Sequence, residues 1–376
     1  MLGLYFHIPF CLKKCSYCDF LSIDKKDRID AYMRALLKET ELTGAMYNKP
    51  VDSVFFGGGT PSLPDAGYIV AVMDELRRSY TLYSDAEVTL EANPCSLTKE
   101  KLAAYREAGI NRLSIGLQAA QNRHLLTLGR QHTVELFDEA YDLAREAGFT
   151  NINIDIIYAL PEQTLEDWEA TLIHVIEKRP EHVSAYALGL EEGTLLYEMV
   201  ENRELEPAGE DMDLAMYHMA QDLLADRDYE NYEISNFAQR KRECRHNLKY
   251  WNIKDYLGLG AAAHSCIVRL RFANTLDIDE YIANLGTGKL HYSSYEMCSD
   301  DERKIEYIML KLRLKNGFSF FDYKSRFGED FLERFRKEVL HVYELGLITL
   351  DDRGIAPTRR GFDLQNQLVA EMIRNL

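Results

Sequence analysis

Apolar and polar positions along the first half of the chain follow two alternating periods. Short runs rich in β-branched and aromatic residues predict strands over residues 2–8, 53–56, 87–91, 112–117, 151–157 and 182–188. Between them, apolar residues recur at helical spacing over 28–43, 65–78, 99–108, 134–147 and 165–177. In 134–147 the apolar face is Leu136, Phe137, Ala140, Leu143, Ala144 and Ala147, and Gly148 is placed to end the helix in a left-handed conformation. Thr164 is placed as the N-cap of the next helix, with Glu166 and Asp167 in its first turn. One segment is echoed: Arg106-Glu-Ala-Gly-Ile-Asn-Arg-Leu-Ser-Ile115 resembles Arg145-Glu-Ala-Gly-Phe-Thr-Asn-Ile-Asn-Ile154, a helix end, a glycine turn and a strand used twice.

This alternation predicts an α/β fold with a parallel sheet and helices outside. Rolled up, such units make a full or partial barrel with its chemistry at the C-terminal strand ends. After Ser235 the pattern changes. Residues 236–255 are polar, partly basic and rich in aromatic and nitrogen side chains. Helices are expected over 301–315, 328–345 and 361–374, with a hairpin over 347–357 around Asp351-Asp352-Arg353-Gly354. The expected division is 1–235 for the barrel, 236–299 for a linking segment, and 300–376 for a smaller α+β, winged-helix-like domain.

At 376 residues, 46% apolar and 28% charged, the chain is long enough for two or three domains and too apolar for disorder. The formal charge of −17 argues against nucleic acid as the main partner. From residue 300 onward, 14 acidic and 14 basic residues balance, which argues against a DNA-binding wing. No stretch is long and apolar enough for a membrane span, and the first residues lack the order of a secretion signal. A cytoplasmic location without stable membrane insertion is the expectation.

Seven cysteines are present, three of them within eight residues: Cys11-Leu-Lys-Lys-Cys15-Ser-Tyr-Cys18. The triplet follows the first predicted strand on a loop opened by Pro9, so three thiolates can converge on one object. Structural zinc normally takes four protein ligands, and iron–sulfur clusters usually take four cysteines. Three ligands on a four-iron cube would leave one iron open to an outside chelate. A zinc knuckle completed by His7 or a distant residue is the alternative. Cys95, Cys266 and Cys298 have no ligand-spaced neighbour and read as ordinary free cysteines.

The segment from Tyr5 to Cys18, YFHIPFCLKKCSYC, resembles the radical S-adenosylmethionine (SAM) superfamily. The resemblance implies a partial (βα)6-type barrel, a [4Fe–4S] cluster on Cys11, Cys15 and Cys18, and SAM chelated to the fourth iron. Phe55-Phe-Gly-Gly-Gly-Thr60-Pro is similar to the segment that receives the SAM amino group; alone it would be a plain βα turn. Glu91 in LEANP could accept hydrogen bonds from a ribose diol, or be a solvated strand end. Gln118, Arg130 and Asp155 fall at strand ends or in the loops after them, and Asp155 inside an apolar strand needs a partner.

Over nearly its full length the order resembles oxygen-independent coproporphyrinogen III oxidases and their relatives, the HemW heme chaperones. By that analogy Tyr5, Tyr17, Gly58 and Glu91 line the cluster-bound SAM, and Gly59, Thr60, Gln118, Arg130 and Asp155 line a second. Two departures favour the chaperone branch over the oxidative decarboxylase of porphyrin biosynthesis. Position 20 is Phe where the oxidase has a further cysteine, and only four residues precede Tyr5. Cys244-Arg-His246-Asn247-Leu-Lys-Tyr250-Trp251 then looks like the chaperones' HN-x-x-YW motif. His246 would offer an axial nitrogen to heme, Tyr250 and Trp251 flat faces, and Cys244 an alternative ligand. The alternative is that these aromatics pack beneath the barrel while His246 makes a structural hydrogen bond. The resemblance implies heme and a heme-accepting protein as partners, with homodimerisation left open.

Overall fold

The computed structural model describes every residue except Asn48, Asn375 and Leu376; the last two end the expected third domain. Six strand–helix units come first: β1 (Leu2–Ile8), α1 (Ile29–Met46), β2 (Val51–Gly58), α2 (Ala66–Ser79), β3 (Leu82–Ala92), α3 (Lys99–Glu107), β4 (Arg112–Gln118), α4 (Asn122–Thr127), α5 (Val134–Glu146), β5 (Ile152–Tyr158), α6 (Leu165–Lys178) and β6 (His182–Ala187). Strands β1 to β6 are parallel and adjacent in chain order.

Both faces of these strands are covered, yet the two faces differ. Leu2, Leu4, Phe6 and Ile8 of β1, Val88 and Leu90 of β3, Leu113, Ile115 and Leu117 of β4, and Ile152, Ile154 and Ile156 of β5 face the helices and form the main core. The alternate residues face inward. They are mostly polar: Ser53, Glu87, Arg112, Ser114, Asn153, Asp155, His182 and Ser184. The barrel lumen is therefore a polar interior inside an apolar shell.

The local signals hold. Thr164 caps α6, accepting the Asp167 N–H while the Asp167 carboxylate accepts the Thr164 N–H. Gly148 has φ +85° and its counterpart in the echo, Gly109, has φ +92°. In both copies the arginine reaches over the turn to a carbonyl, Arg106 to Ile110 at 3.3 Å and Arg145 to Phe149 at 3.1 Å.

Beyond β6 come α7 (Leu195–Glu201), α8 (Glu210–Ala225), β7 (Glu230–Glu233), β8 (Asn236–Ala238), α9 (Arg245–Trp251), β9 (Tyr256–Leu259), β10 (His264–Ile267), β11 (Leu270–Asn274), α10 (Ile278–Gly286) and β12 (Tyr292–Met297). Strand β9 pairs parallel to β1 on its free side, and β10 to β12 extend that edge antiparallel; β8 and β7 extend the other edge beyond β6. The twelve strands form one open sheet, so the barrel is partial.

The C-terminal unit runs α11 (Asp300–Lys311), β13 (Phe318–Ser319), α12 (Phe320–Phe327), α13 (Phe331–Glu344), β14 (Ile348–Leu350) and β15 (Gly354–Pro357), then α14 (Arg359–Asp363) and α15 (Gln365–Ile373). Its small sheet is ordered β13-β15-β14 over a separate core that includes Tyr307, Phe331 and Leu368. Helix, strand, two helices and a hairpin is the winged-helix order. Two expectations are corrected. The helix from 301 ends at Lys311, and the last helix is broken at Leu364, whose backbone leaves the helical region (φ −112°, ψ 37°). No described helix is long and apolar enough to cross a membrane.

Candidate cluster and SAM site

The C-terminal ends of the parallel strands open into a cavity of about 590 Å³. Its wall carries Cys11, Cys15, Tyr17 and Cys18 from the loop after β1, Gly58, Gly59 and Thr60 from the end of β2, and Glu91 from β3. Gln118 of β4, Arg130 after α4, and Asp155 of β5 complete it. Eleven residues singled out in the sequence thus meet at one place. Tyr5 does not reach the wall: it packs one layer lower, with its hydroxyl 3.2 Å from His7 Nδ1.

The cysteine loop is anchored at several points. The Cys11 N–H donates to the Ile23 carbonyl at 2.9 Å and the Ile23 N–H to Pro9 at 2.7 Å. Ser16 ties the middle of the loop to the end of α4, through its N–H to Leu128 (3.0 Å) and its hydroxyl to Thr127 (2.8 Å). The three thiols are half-exposed and none is in a disulfide. Among the described residues, no three His, Cys, Asp or Glu side chains converge tightly enough for a single metal ion. A cube has a different requirement, because its thiolates bind separate irons and stand further apart. His7 cannot complete a zinc site as packed. Its Nε2 donates to the Leu21 carbonyl at 3.0 Å, which leaves Nδ1 to accept from Tyr5.

The glycines of β2 are required by space. Gly58 has φ +109°, and a Cβ there would lie 2.7 Å from the His7 ring. A Cβ on Gly59 would lie 2.9 Å from the Phe10 nitrogen.

Glu91 faces the cavity without an ion-pair partner among the described residues. Burial, reinforced by the nearby Asp155 carboxylate, pushes its pKa up to about 8, against a smaller opposing pull from the Gly58 backbone. Asp155 finds the partners its position demanded: the Ser114 hydroxyl donates to it at 2.9 Å and the Asn153 amide at 2.8 Å. Burial still raises its pKa. Arg130 has no carboxylate partner among the described residues. Its Nη1 meets Cys15 Sγ at 3.5 Å, its Nη2 meets the Gly116 carbonyl at 3.4 Å, and its Nε is buried and unpaired. Gln118 ends β4 with φ +71°, where the register with β5 shifts.

This donor set fits the implied group: three free thiols at one end, a glycine cradle beside them, and, deeper in, a guanidinium and a carboxyl without ion-pair partners among the described residues. Tyr186 and Ser114 also line the wall and carry no motif of their own. Both occupy inward positions on their strands, so the period-2 alternation that found Asp155 could have found them.

The HN-x-x-YW residues lie at the opposite, N-terminal end of the strands. His246 is 1% exposed, with Nδ1 3.0 Å from the Ser53 hydroxyl and Nε2 2.8 Å from the Tyr250 hydroxyl, so neither nitrogen is free. Burial, then Lys249 and Arg112, lower its pKa to about 3. Cys244 is fully buried with its thiol toward Glu87, and burial pushes it up to about 12. Tyr250 packs edge-on to Tyr256, and Trp251 lies under the Arg313 guanidinium of the C-terminal unit, 5.5 Å away. Asn247 lies on the same short helix. As packed, α9 is a plug beneath the barrel.

Comparison with known proteins agrees with the geometry. The Radical SAM superfamily profile matches residues 5–175, and the HemN C-terminal domain profile matches residues 299–364. The heme chaperone HemW of Lactococcus lactis is 32% identical over 98% of this chain and 96% of its own length. HemW of Bacillus subtilis is 32% identical over the whole of both chains. HemW of Mycobacterium tuberculosis is 34% identical over 99% of this chain and 94% of its own. Among solved structures, the coproporphyrinogen III oxidase HemN of Escherichia coli superposes with a TM-score of 0.86 at 24% identity, covering 100% of this chain and 90% of that one; this likeness establishes the shared fold. The chain belongs to the radical SAM superfamily and, within it, to the HemW family.

Proposed function

We propose that this protein is a heme chaperone of the radical SAM type, binding heme and passing it to an acceptor protein. The carrying observation is the set of half-exposed thiols of Cys11, Cys15 and Cys18 at the mouth of the strand-end cavity, in a chain of the HemW family. Those thiols would hold a [4Fe–4S] cluster. Gly58, Glu91 and Tyr17, with Tyr5 behind them, would surround the SAM bound to it. Gly59, Thr60, Gln118, Arg130 and Asp155 would line a second position. Bound there, cluster and SAM supply one-electron cleavage of a sulfonium.

The chain's own groups prepare the pocket. Glu91, with a pKa of about 8, keeps its proton at neutral pH and so offers a ligand diol both a donor and an acceptor. Arg130, free of any protein carboxylate among the described residues, can pair with a ligand carboxylate. The apolar core between strands and helices closes the site on its outer face. The proposal includes a cytoplasmic location and an acceptor that is a protein, not a nucleic acid.

The test is an anaerobic reconstitution followed by heme titration and mixing with a heme-free acceptor protein. A Soret band that saturates and then moves to the acceptor is expected. Failure to bind heme would overturn the reading. Conversion of coproporphyrinogen III to protoporphyrinogen would replace it with the decarboxylase.

A further inference from the structure

Inward-facing residues of the barrel form a hydrogen-bonded file from one end of the lumen to the other. At the cavity end stands Asp155, whose carboxylate accepts the Asn153 amide N–H at 2.8 Å. The Asn153 oxygen lies 2.6 Å from His182 Nδ1, and His182 Nε2 lies 2.8 Å from the Tyr232 hydroxyl. The Tyr232 oxygen accepts the backbone N–H of Cys244 at 3.2 Å. Asn153, His182 and Tyr232 are all buried, and none of them lines the cavity.

The chemistry of these groups fixes the direction of every bond. A carboxylate accepts, so the Asn153 nitrogen faces Asp155 and its oxygen faces His182. An amide oxygen also only accepts, which puts the imidazole proton on Nδ1. Nε2 then takes the Tyr232 O–H, and the phenol oxygen is left to accept from Cys244. Every donor points toward Asp155. Bonds aligned head to tail polarise one another, and a carboxylate at the end strengthens the row. Arg112, buried in the same lumen, acts electrostatically on the carboxylates at both ends, Asp155 and Glu87.

At the far end, α9 has no capping side chain of its own. Its start is held by what the lumen supplies. Tyr232 takes the Cys244 N–H, and Glu87 takes the Arg245 and His246 N–H groups at 3.1 and 3.0 Å.

We propose that the file Asp155–Asn153–His182–Tyr232 couples the strand-end cavity to the first turn of α9, so that a ligand drawing on Asp155 loosens the helix that carries the HN-x-x-YW residues. A ligand donor at Asp155 competes with Asn153, and each bond behind it weakens. By linkage, whatever opens α9 changes the cavity's affinity by the same factor. Asn153, His182 and Tyr232 are positioning residues, acting through Asp155 at one end and Cys244 at the other. The inference goes beyond the chaperone reading and rests on the assignment of the cavity to SAM.

The test follows hydrogen–deuterium exchange of the backbone amides of residues 244–251 in the reconstituted full chain, with and without SAM. SAM should speed exchange there by about fivefold or more, the lower end of ordinary coupling between two sites. Tyr232→Phe should abolish that response. It should also tighten SAM binding, because Asp155 is then held less firmly from behind. Without any ligand, Asp155→Asn should speed exchange in α9, although Asp155 makes no hydrogen bond to that helix among the described residues. Asp155→Asn and Tyr232→Phe together should do little more than either alone. Ser53→Ala, which removes the hydroxyl beside His246 but leaves the file intact, should add in full to Asp155→Asn. A merely structural role predicts addition in both pairs. Exchange in α13 of the C-terminal unit shows whether any variant loosens the whole chain. Unaltered α9 exchange on binding of SAM, or additive effects of Asp155→Asn and Tyr232→Phe, would overturn the inference. Failure of the parent to bind SAM would instead remove the cavity's assignment, and the ligand-free Asp155→Asn comparison would then decide the file. Should Tyr232→Phe fail to fold, the parent's response to SAM and the Asp155→Asn exchange decide.

Discussion

The Glu87 carboxylate reaches from β3 to the first turn of α9, where Oε1 accepts the His246 backbone N–H at 3.0 Å. The two residues are 159 positions apart, and the contact caps a helix that has no capping side chain of its own.

This cap predicts the cost of its removal. Glu87→Gln keeps one acceptor but turns an amide N–H toward the second backbone donor. A loss of roughly 1–3 kcal/mol is expected for the unsatisfied buried groups. Urea or thermal unfolding measures it, and an unchanged midpoint would mean that α9 is held by other contacts.

Two sets of buried groups should contribute to the pH dependence of stability with opposite signs, both below neutrality. His246 has a folded pKa of about 3, lowered first by burial, and His132 of about 4, lowered by burial and then by Arg130. From 6.5 downward the unfolded chain takes up protons that these folded histidines refuse, so stability falls as pH drops through that window. Glu233 behaves oppositely. Burial raises its folded pKa from 4.5 to about 7, so the folded chain keeps a proton that the unfolded chain loses, and stability falls as pH rises between these values. Glu233→Gln should therefore gain up to about 3 kcal/mol at about pH 8 and little at about pH 4.5, because each tenfold difference in proton affinity between the two states is worth about 1.4 kcal/mol. Denaturation curves at several pH values test this. Parallel profiles for Glu233→Gln and its parent would contradict it.

Gly58→Ala should damage the pocket without unfolding the sheet. The new methyl would meet the His7 ring at 2.7 Å in a backbone conformation (φ +109°) that side chains avoid. Strain of order 1–3 kcal/mol is expected. Equilibrium binding of SAM to the reconstituted protein should weaken at least several-fold. Parental affinity would show that the β2 turn does not contact the ligand.

The cysteines should divide sharply. Cys11→Ala, Cys15→Ala and Cys18→Ala should each remove the reconstituted cluster, read as iron and acid-labile sulfide. Cys244→Ala should leave it intact, since that thiol is fully buried at the far end of the strands beside Glu87. Loss of iron in Cys244→Ala would place that residue in the site.

The cluster site was largely legible in the chain because its chemistry is local. Cys11, Cys15 and Cys18 lie on one short loop, and Gly58, Glu91, Gln118 and Asp155 each sit at or near the end of a strand whose period was plain. Tyr186 was within reach of the same period, since it takes an inward position on β6, but it belongs to no motif that singles it out. Strands β7 to β12 escaped because they are three to six residues long, too short for a period to show.

Sequence alone determined the alternation of strands and helices, the thiol triplet and the family, since each is written in spacing along the backbone. Only the tertiary structure decided the fate of His246. Spacing placed it beside Tyr250 and Trp251, where it could equally have faced a ligand or the interior. Ser53 and Glu87, supplied from two distant strands, turned it inward. Burial is a property of what the rest of the chain brings to a residue, and no local pattern encodes it.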